Sequence, residues 1–105
     1  MPRYGAKVDG NHGEIVELLR FCGYPVRSLA AVGDGIPDLL VGVLHVNVLI
    51  EVKMPGEPLT PAQRKFWDTW PGLKFIAETR ERALRVCSSI EAKLAEHAAR
   101  KALHG

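Results

Sequence analysis

Two periods of apolar residues alternate along the chain. Ile15, Leu18, Leu19 and Cys22 recur at helical spacing after Asn11, and Gly23 stops the run, which predicts a first helix. Tyr24 to Ala30 reads as a short strand with Tyr24, Val26 and Leu29 turned inward, and Gly33-Asp34-Gly35-Ile36-Pro37 reads as a turn. Asp38 to Val43 (DLLVGV) and Asn47 to Lys53 (NVLIEVK) are strands. The short link at Leu44-His45-Val46 implies an antiparallel hairpin, although neither glycine nor proline stands there to shape the turn. Met54 to Leu59 is a loop. Thr60-Pro61-Ala62-Gln63 is a helix start, with Thr as cap, Pro in the first turn and Gln at the third position. That helix runs to about Trp70, with Phe66 and Trp70 turned to the core, and Pro71-Gly72 ends it. Leu73 to Glu78 is a further strand. A long helix follows from Thr79 or Arg80 to Leu103, its apolar seam formed by Ala83, Cys87, Ile90 and Leu94 with Leu84 beside it. Residues 1–10 read as a loose arm. The order helix, three strands, helix, strand, helix predicts an α/β fold with a mixed sheet flanked by helices.

Composition narrows the class. A chain of 105 residues is one domain, and 47% apolar with 25% charged residues is ordinary for a globular protein. The net charge of +2 does not mark a nucleic-acid binder, but a local basic patch needs no basic whole. Cys22 and Cys87 lie far apart among apolar residues without metal-ligand spacing, so both read as buried free thiols in a reducing, cytoplasmic setting. No apolar run approaches the roughly 20 residues of a membrane span. Met1 to Asp9 has charges and no following apolar block, so no secretory leader is expected. No membrane partner and no small-molecule cofactor is expected.

The candidate chemistry lies in the charges inside the strands. Glu51 and Lys53 interrupt an otherwise apolar strand, and Asp38 opens the strand before it. Charges in a buried strand cost several kcal/mol unless they have a partner or a purpose. Period two puts Glu51 and Lys53 on one face, while Val48, Ile50 and Val52 point to the core. If the hairpin turns between Leu44 and His45, Asp38 stands directly opposite Glu51, about 5 Å away at Cβ. Two carboxylates that close repel unless a cation lies between them, and a hard divalent ion such as Mg²⁺ suits the pair. Lys53, one strand step away, would serve a water or neutralise a phosphate.

These residues resemble a known family. Pro37-Asp38 followed by Glu51-Val52-Lys53 is similar to the PD-(D/E)xK nuclease motif. The chain more closely resembles the stand-alone VRR-NUC domains of phages and bacteria, relatives of Holliday-junction resolvases. The resemblance runs through Asn11-His12-Gly13-Glu14-Ile15-Val16, Val32 to Leu40, Glu51-Val52-Lys53 and Leu59-Thr60-Pro61-Ala62-Gln63, and covers roughly residues 5 to 80. It implies a restriction-endonuclease-like αβββαβ core with a C-terminal helix. It also implies a metal-dependent endonuclease that hydrolyses DNA phosphodiester bonds, with branched or four-way-junction DNA as a substrate. Asp38, Glu51 and the backbone carbonyl of Val52 would bind Mg²⁺, with Mn²⁺ as the expected substitute. Glu14 would be a third carboxylate, Lys53 would serve the attacking water, and Gln63 would point at the site from the second helix. A phage-encoded protein of this kind would act in the cytoplasm of its bacterial host.

Simpler readings stand beside each of these. Glu51 and Lys53 could form an ion pair on an exposed sheet face, and Asp38 could merely close its turn. Asn11 and Glu14 have the spacing of a capping pair, and Gln63 that of a capping box with Thr60. Gly33 and Gly35 serve a turn, and would also let a DNA backbone approach the metal. Arg64 and Lys65 could touch phosphates or form a solvated helix face. The small size, and the apolar seam of the last helix, favour a homodimer. A non-catalytic module that binds nucleic acid or a host protein on the same fold is the alternative to an enzyme.

Overall fold

In a computed structural model, which describes residues 10–104, seven elements follow in the expected order. They are α1 His12–Phe21, β1 Val26–Ser28, β2 Leu39–Val43, β3 Val46–Val52, α2 Pro61–Thr69, β4 Lys74–Ala77 and α3 Arg80–His104. The arm expected over residues 1–10 lies outside the described residues except for Gly10. The strands form one mixed sheet in the order β1-β2-β3-β4, antiparallel except for the β3–β4 pair. The fold is therefore α/β, with helices on the sheet and a C-terminal helix.

One face of the sheet carries the core. Leu39, Val41 and Val43 of β2 meet Val48, Ile50 and Val52 of β3, all at most 1% exposed. Ile15 and Leu19 of α1 and Ala83 and Cys87 of α3 close over them. The apolar seam of α3 is thus used against the sheet. Beyond half-buried Leu94 each described residue of α3 is exposed, Ala95, Ala98, Ala99, Ala102 and Leu103 among them, so only the first half of the helix packs on the sheet.

The hairpin fixes the position of everything that follows. Val43 pairs with Val46, leaving Leu44 and His45 as a two-residue turn, and Leu39 pairs with Ile50. The turn is bought with strain, since Leu44 takes φ 54 where glycine is usual. The next turn uses the expected chemistry. Asp34 (φ 58) and Gly35 (φ 74) are the central pair of a turn closed by the Ile36 N–H on the Gly33 carbonyl at 3.1 Å.

Three expectations are corrected. The first strand is shorter than Tyr24 to Ala30: Pro25 has no N–H for the ladder, and past Ser28 the chain turns back through the Val32 N–H on the Leu29 carbonyl at 2.9 Å. Tyr24 still turns inward, but its hydroxyl donates to Glu91 Oε1 at 2.5 Å. Burial raises its pKa well above the ordinary range, with Glu91 adding to the shift. Trp70 is not a core residue. It is 47% exposed and stacks on half-buried Phe66 at 5.0 Å, because α2 lies on the other, polar face of the sheet. Cys22 is exposed after the end of α1, and only Cys87 is a buried thiol, while both are free.

Leu44→Gly should raise stability by about 0.5–1 kcal/mol, since relief of the left-handed leucine exceeds the added freedom of the unfolded chain. A chemical-denaturation midpoint below that of the wild type would contradict this turn geometry.

Burial pushes the Cys87 thiol up to about 11, with Glu91 adding to it. At pH 8 iodoacetamide should therefore label Cys22 alone in the native protein and both thiols after unfolding. Because the folded value is the higher one, the neutral Cys87 thiol contributes its full stability below about pH 9 and loses it as pH rises towards 11. A mass spectrum with rapid native labelling of Cys87 would refute its burial.

Candidate active site

The polar face of the sheet is built around β3. Glu51 and Lys53 are 1% and 3% exposed, so neither belongs to an open surface pair. One step past the Leu39–Ile50 pair, the register sets half-buried Asp38 opposite Glu51, as the hairpin pattern predicted. Asp38 lies just before β2 and its carboxylate replaces the missing strand. Its Oδ2 accepts the Val52 N–H at 2.7 Å, and its carbonyl accepts the Leu29 N–H at 2.6 Å. The Val52 carbonyl leaves β3 on the same edge as that N–H.

Helix α2 covers this face. Gln63 Nε2 donates to Glu51 Oε2 at 3.2 Å. The same side chain completes a capping box: Gln63 Oε1 accepts the Thr60 N–H at 2.9 Å, and Thr60 Oγ1 accepts the Gln63 N–H at 3.2 Å. Gln63 thus makes both contacts, since the cap holds the amide that reaches Glu51. On the same side, the Lys74 ammonium lies 5.7 Å from the centre of the Trp67 ring. Gly35 sets how close α2 can come. A Cβ there would stand 2.3 Å from the Ala62 carbonyl oxygen, so the missing side chain is used by the protein itself. Only Gly33 of the two turn glycines has open space before it.

Lys53 is held from several directions. Its N–H donates to the Ala77 carbonyl at 3.1 Å, and its carbonyl accepts from Asn11 Nδ2 at 3.2 Å. Asn11 Nδ2 also donates to the Glu78 carbonyl at 2.8 Å, so this buried side chain ties the start of α1 to the ends of both parallel strands. It makes no cap bond to its own helix, which removes the capping-pair reading of Asn11 and Glu14. The Lys53 ammonium stands 3.6 Å from Glu57 Oε2. Glu57 was not singled out in the sequence, although an acid four residues after a strand lysine, across Pro55-Gly56, was a usable signal. Its Oε1 accepts the Met54 N–H at 2.9 Å, and that bond, with Lys53 beside it, holds its pKa below the ordinary carboxylate value.

The remaining expected residues lie elsewhere. Glu14 is exposed on α1, in a cleft with Glu17, Leu18, Phe21 and Arg80. Among the described residues no group of three or more His, Cys, Asp or Glu side chains is gathered for a metal, so Glu14 does not complete a three-carboxylate set. Arg64 pairs with Asp68 at 3.8 Å on the outer face of α2. Lys65 lines a cleft with Asp34, Ala62, Phe66 and Thr69. No described helix is long and apolar enough to cross a membrane.

The fold and site define an α/β domain that buries one charged patch on the polar face of its sheet. No family model, curated protein or solved structure matches the chain.

Gln63→Glu tests the electrostatics of the patch. It keeps the acceptor for the Thr60 N–H but sets a second carboxylate against buried Glu51. The variant should lose about 1–3 kcal/mol at pH 7. The new acid has its pKa raised in the fold above an unfolded value of about 4.3, so stability should return as pH falls towards that value. A pH-independent loss of Tm would show that charge against Glu51 is not the cause.

Proposed function

We propose that the protein is a metal-dependent nuclease of the PD-(D/E)xK type, which hydrolyses phosphodiester bonds in DNA. The observation that carries this reading is the burial of Glu51 and Lys53 on one face of β3, with Asp38 opposite Glu51. Structural need alone does not explain two ionisable groups at this depth.

The donor set suits a hard divalent cation: two carboxylates from neighbouring chain segments, with the Val52 carbonyl on the edge that Asp38 occupies. Mg²⁺ would be the ion for such a pair, since it keeps waters and takes phosphate oxygens, although among the described residues no third His, Cys, Asp or Glu is gathered with the two carboxylates. When bound, such an ion supplies an activated water and neutralises charge on the phosphate.

The chain's own groups do the rest. Asp38 and Glu51 keep a fixed spacing because a backbone N–H and an amide hold one oxygen of each. Gln63 donates to Glu51 and so orients the carboxylate. Lys53 brings a positive charge with little water around it, which strengthens its hold on a phosphate oxygen as charge develops there. Its partner Glu57 is half in solvent, so the ammonium can turn from Glu57 to a phosphate without leaving a buried charge behind.

Cleavage should be assayed with Mg²⁺ over a panel of linear, nicked, flapped and four-way-junction DNAs. Asp38→Asn and Glu51→Gln should each lower the rate at least about 100-fold. Both should fold, because Asn keeps an acceptor for the Val52 N–H and Gln keeps one for Gln63. Lys53→Met should also lose activity yet retain metal binding by calorimetry. A Glu51→Gln protein that cleaves at near the wild-type rate, or cleavage by the wild type in EDTA, would overturn the proposal.

A further inference from the structure

The C-terminal helix carries a second charged region, away from the buried patch. Arg82, Arg85, Ser89 and Lys93 follow at three- and four-residue steps, which places them on one face of α3. All four line a single cleft between α3 and β4, with Phe75, Val86 and Ile90. The acids of α3 are engaged or turned away. Glu81 bonds Arg80 at 3.2 Å, Glu96 pairs with Arg100 at 3.1 Å, and Glu91 accepts from Tyr24. Glu81, one turn before Arg85, and Glu96, three residues after Lys93, add negative charge at the two ends of the row, each with its own arginine partner, Arg80 and Arg100. Among the described residues, Arg82, Arg85 and Lys93 have no acidic partner within ion-pair distance. Three cations thus stand in a row over about 16 Å of helix.

We infer that this face of α3 is a nucleic-acid surface that holds the phosphate backbone of a duplex. The inference deepens the proposed function and rests on nucleic acid as the substrate class. Charge complementarity selects the occupant: 16 Å of B-form duplex passes about five phosphates of one strand, enough to meet every cation in the row. A second copy of this chain would bring like charges together. A lipid surface fits poorly, because membrane-binding helices need an apolar face beside the basic one. The apolar side of α3 is used against the sheet: Ala83, Val86 and Cys87 are buried and Ile90 packs on the core. The position also fits. β4 ends at Ala77, whose carbonyl bonds the Lys53 N–H, and α3 starts three residues later. The row therefore begins at the end of the sheet where the buried patch lies.

The test is fluorescence anisotropy with a short labelled duplex in EDTA, so that binding is read without cleavage, over a series of salt concentrations. The variant is Arg82→Gln/Arg85→Gln/Lys93→Gln, with all three changes on the exposed side of the helix. Loss of three phosphate contacts should reduce the slope of log affinity against log salt by about 2.7. Lys93→Glu alone should also reduce the slope, which keeps the test informative if the triple variant folds poorly. A triple variant with the wild-type slope overturns the inference even if the wild-type protein cleaves DNA. A reduced slope in a protein that never cleaves supports this surface and removes the nuclease reading instead. Wild-type binding to phosphatidylserine vesicles, with none to the duplex, would also overturn it.

Discussion

The site depends on the register of one hairpin. A strand shifted by one residue turns every side chain to the opposite face of the sheet. With Val43 paired to Val46, the apolar positions of β2 and β3 all reach the core, and Glu51 and Lys53 both reach the other face. A one-residue slip would drive the carboxylate and the ammonium among Ile15, Leu19 and Cys87, where neither could be solvated or paired. The cost of that alternative pins the register far more firmly than the turn does, since the turn itself places a leucine at positive φ. The charged patch is thus a specificity device for the fold as well as a candidate site.

Once the register is fixed, small polar contacts bring the two layers of helix to the same end of the sheet. Asn11 spends its amide on the carbonyls of Lys53 and Glu78, so α1 starts where the parallel strands stop. Gln63 spends its amide on Glu51 and its carbonyl on the cap of α2. Gly35 lets α2 settle against the turn that leads into Asp38. Each contact joins an element boundary to a site residue. A perturbation of the boundaries would therefore move the carboxylates.

The element order, the hairpin register and the capping box were legible because each rests on local periodicity or on residues three or four apart. The opposition of Asp38 and Glu51 followed from counting across a short turn. What was not legible depends on which face of the sheet a helix covers. Phe66 and Trp70 have core spacing, but α2 lies over a polar face, and Trp70 stays half in solvent. Cys22 shares the seam of α1 in sequence, yet falls just past the last helical residue and is exposed. Asn11 looked like a cap and is instead a long-range tie, which only tertiary contacts could reveal. Gly35 looked like an opening for a ligand, and the structure fills that opening with the Ala62 carbonyl. Glu57 was missed because a loop acid seldom has a buried partner, and here it does.

The charge distribution explains how a chain of net charge +2 can hold two charged regions of different kinds. The patch on β3 is buried, mixed in sign and locked by hydrogen bonds, so its groups act at short range and resist screening by salt. The row on α3 is exposed and screened, so a large anion held there would be held through the number of contacts and not through any one of them. They lie on different layers, since α3 packs on the core face and α2 on the polar face. The edge strand β4 separates them: Phe75 lines the cleft of the basic row, while Lys74 turns to Trp67 on the other side. A partner that touches both regions must therefore pass the outer edge of β4, close to where the Ala77 carbonyl binds Lys53. Under the proposed function, an extended polyanion is the class of partner that could span both regions, because a compact anion could reach one region but not both.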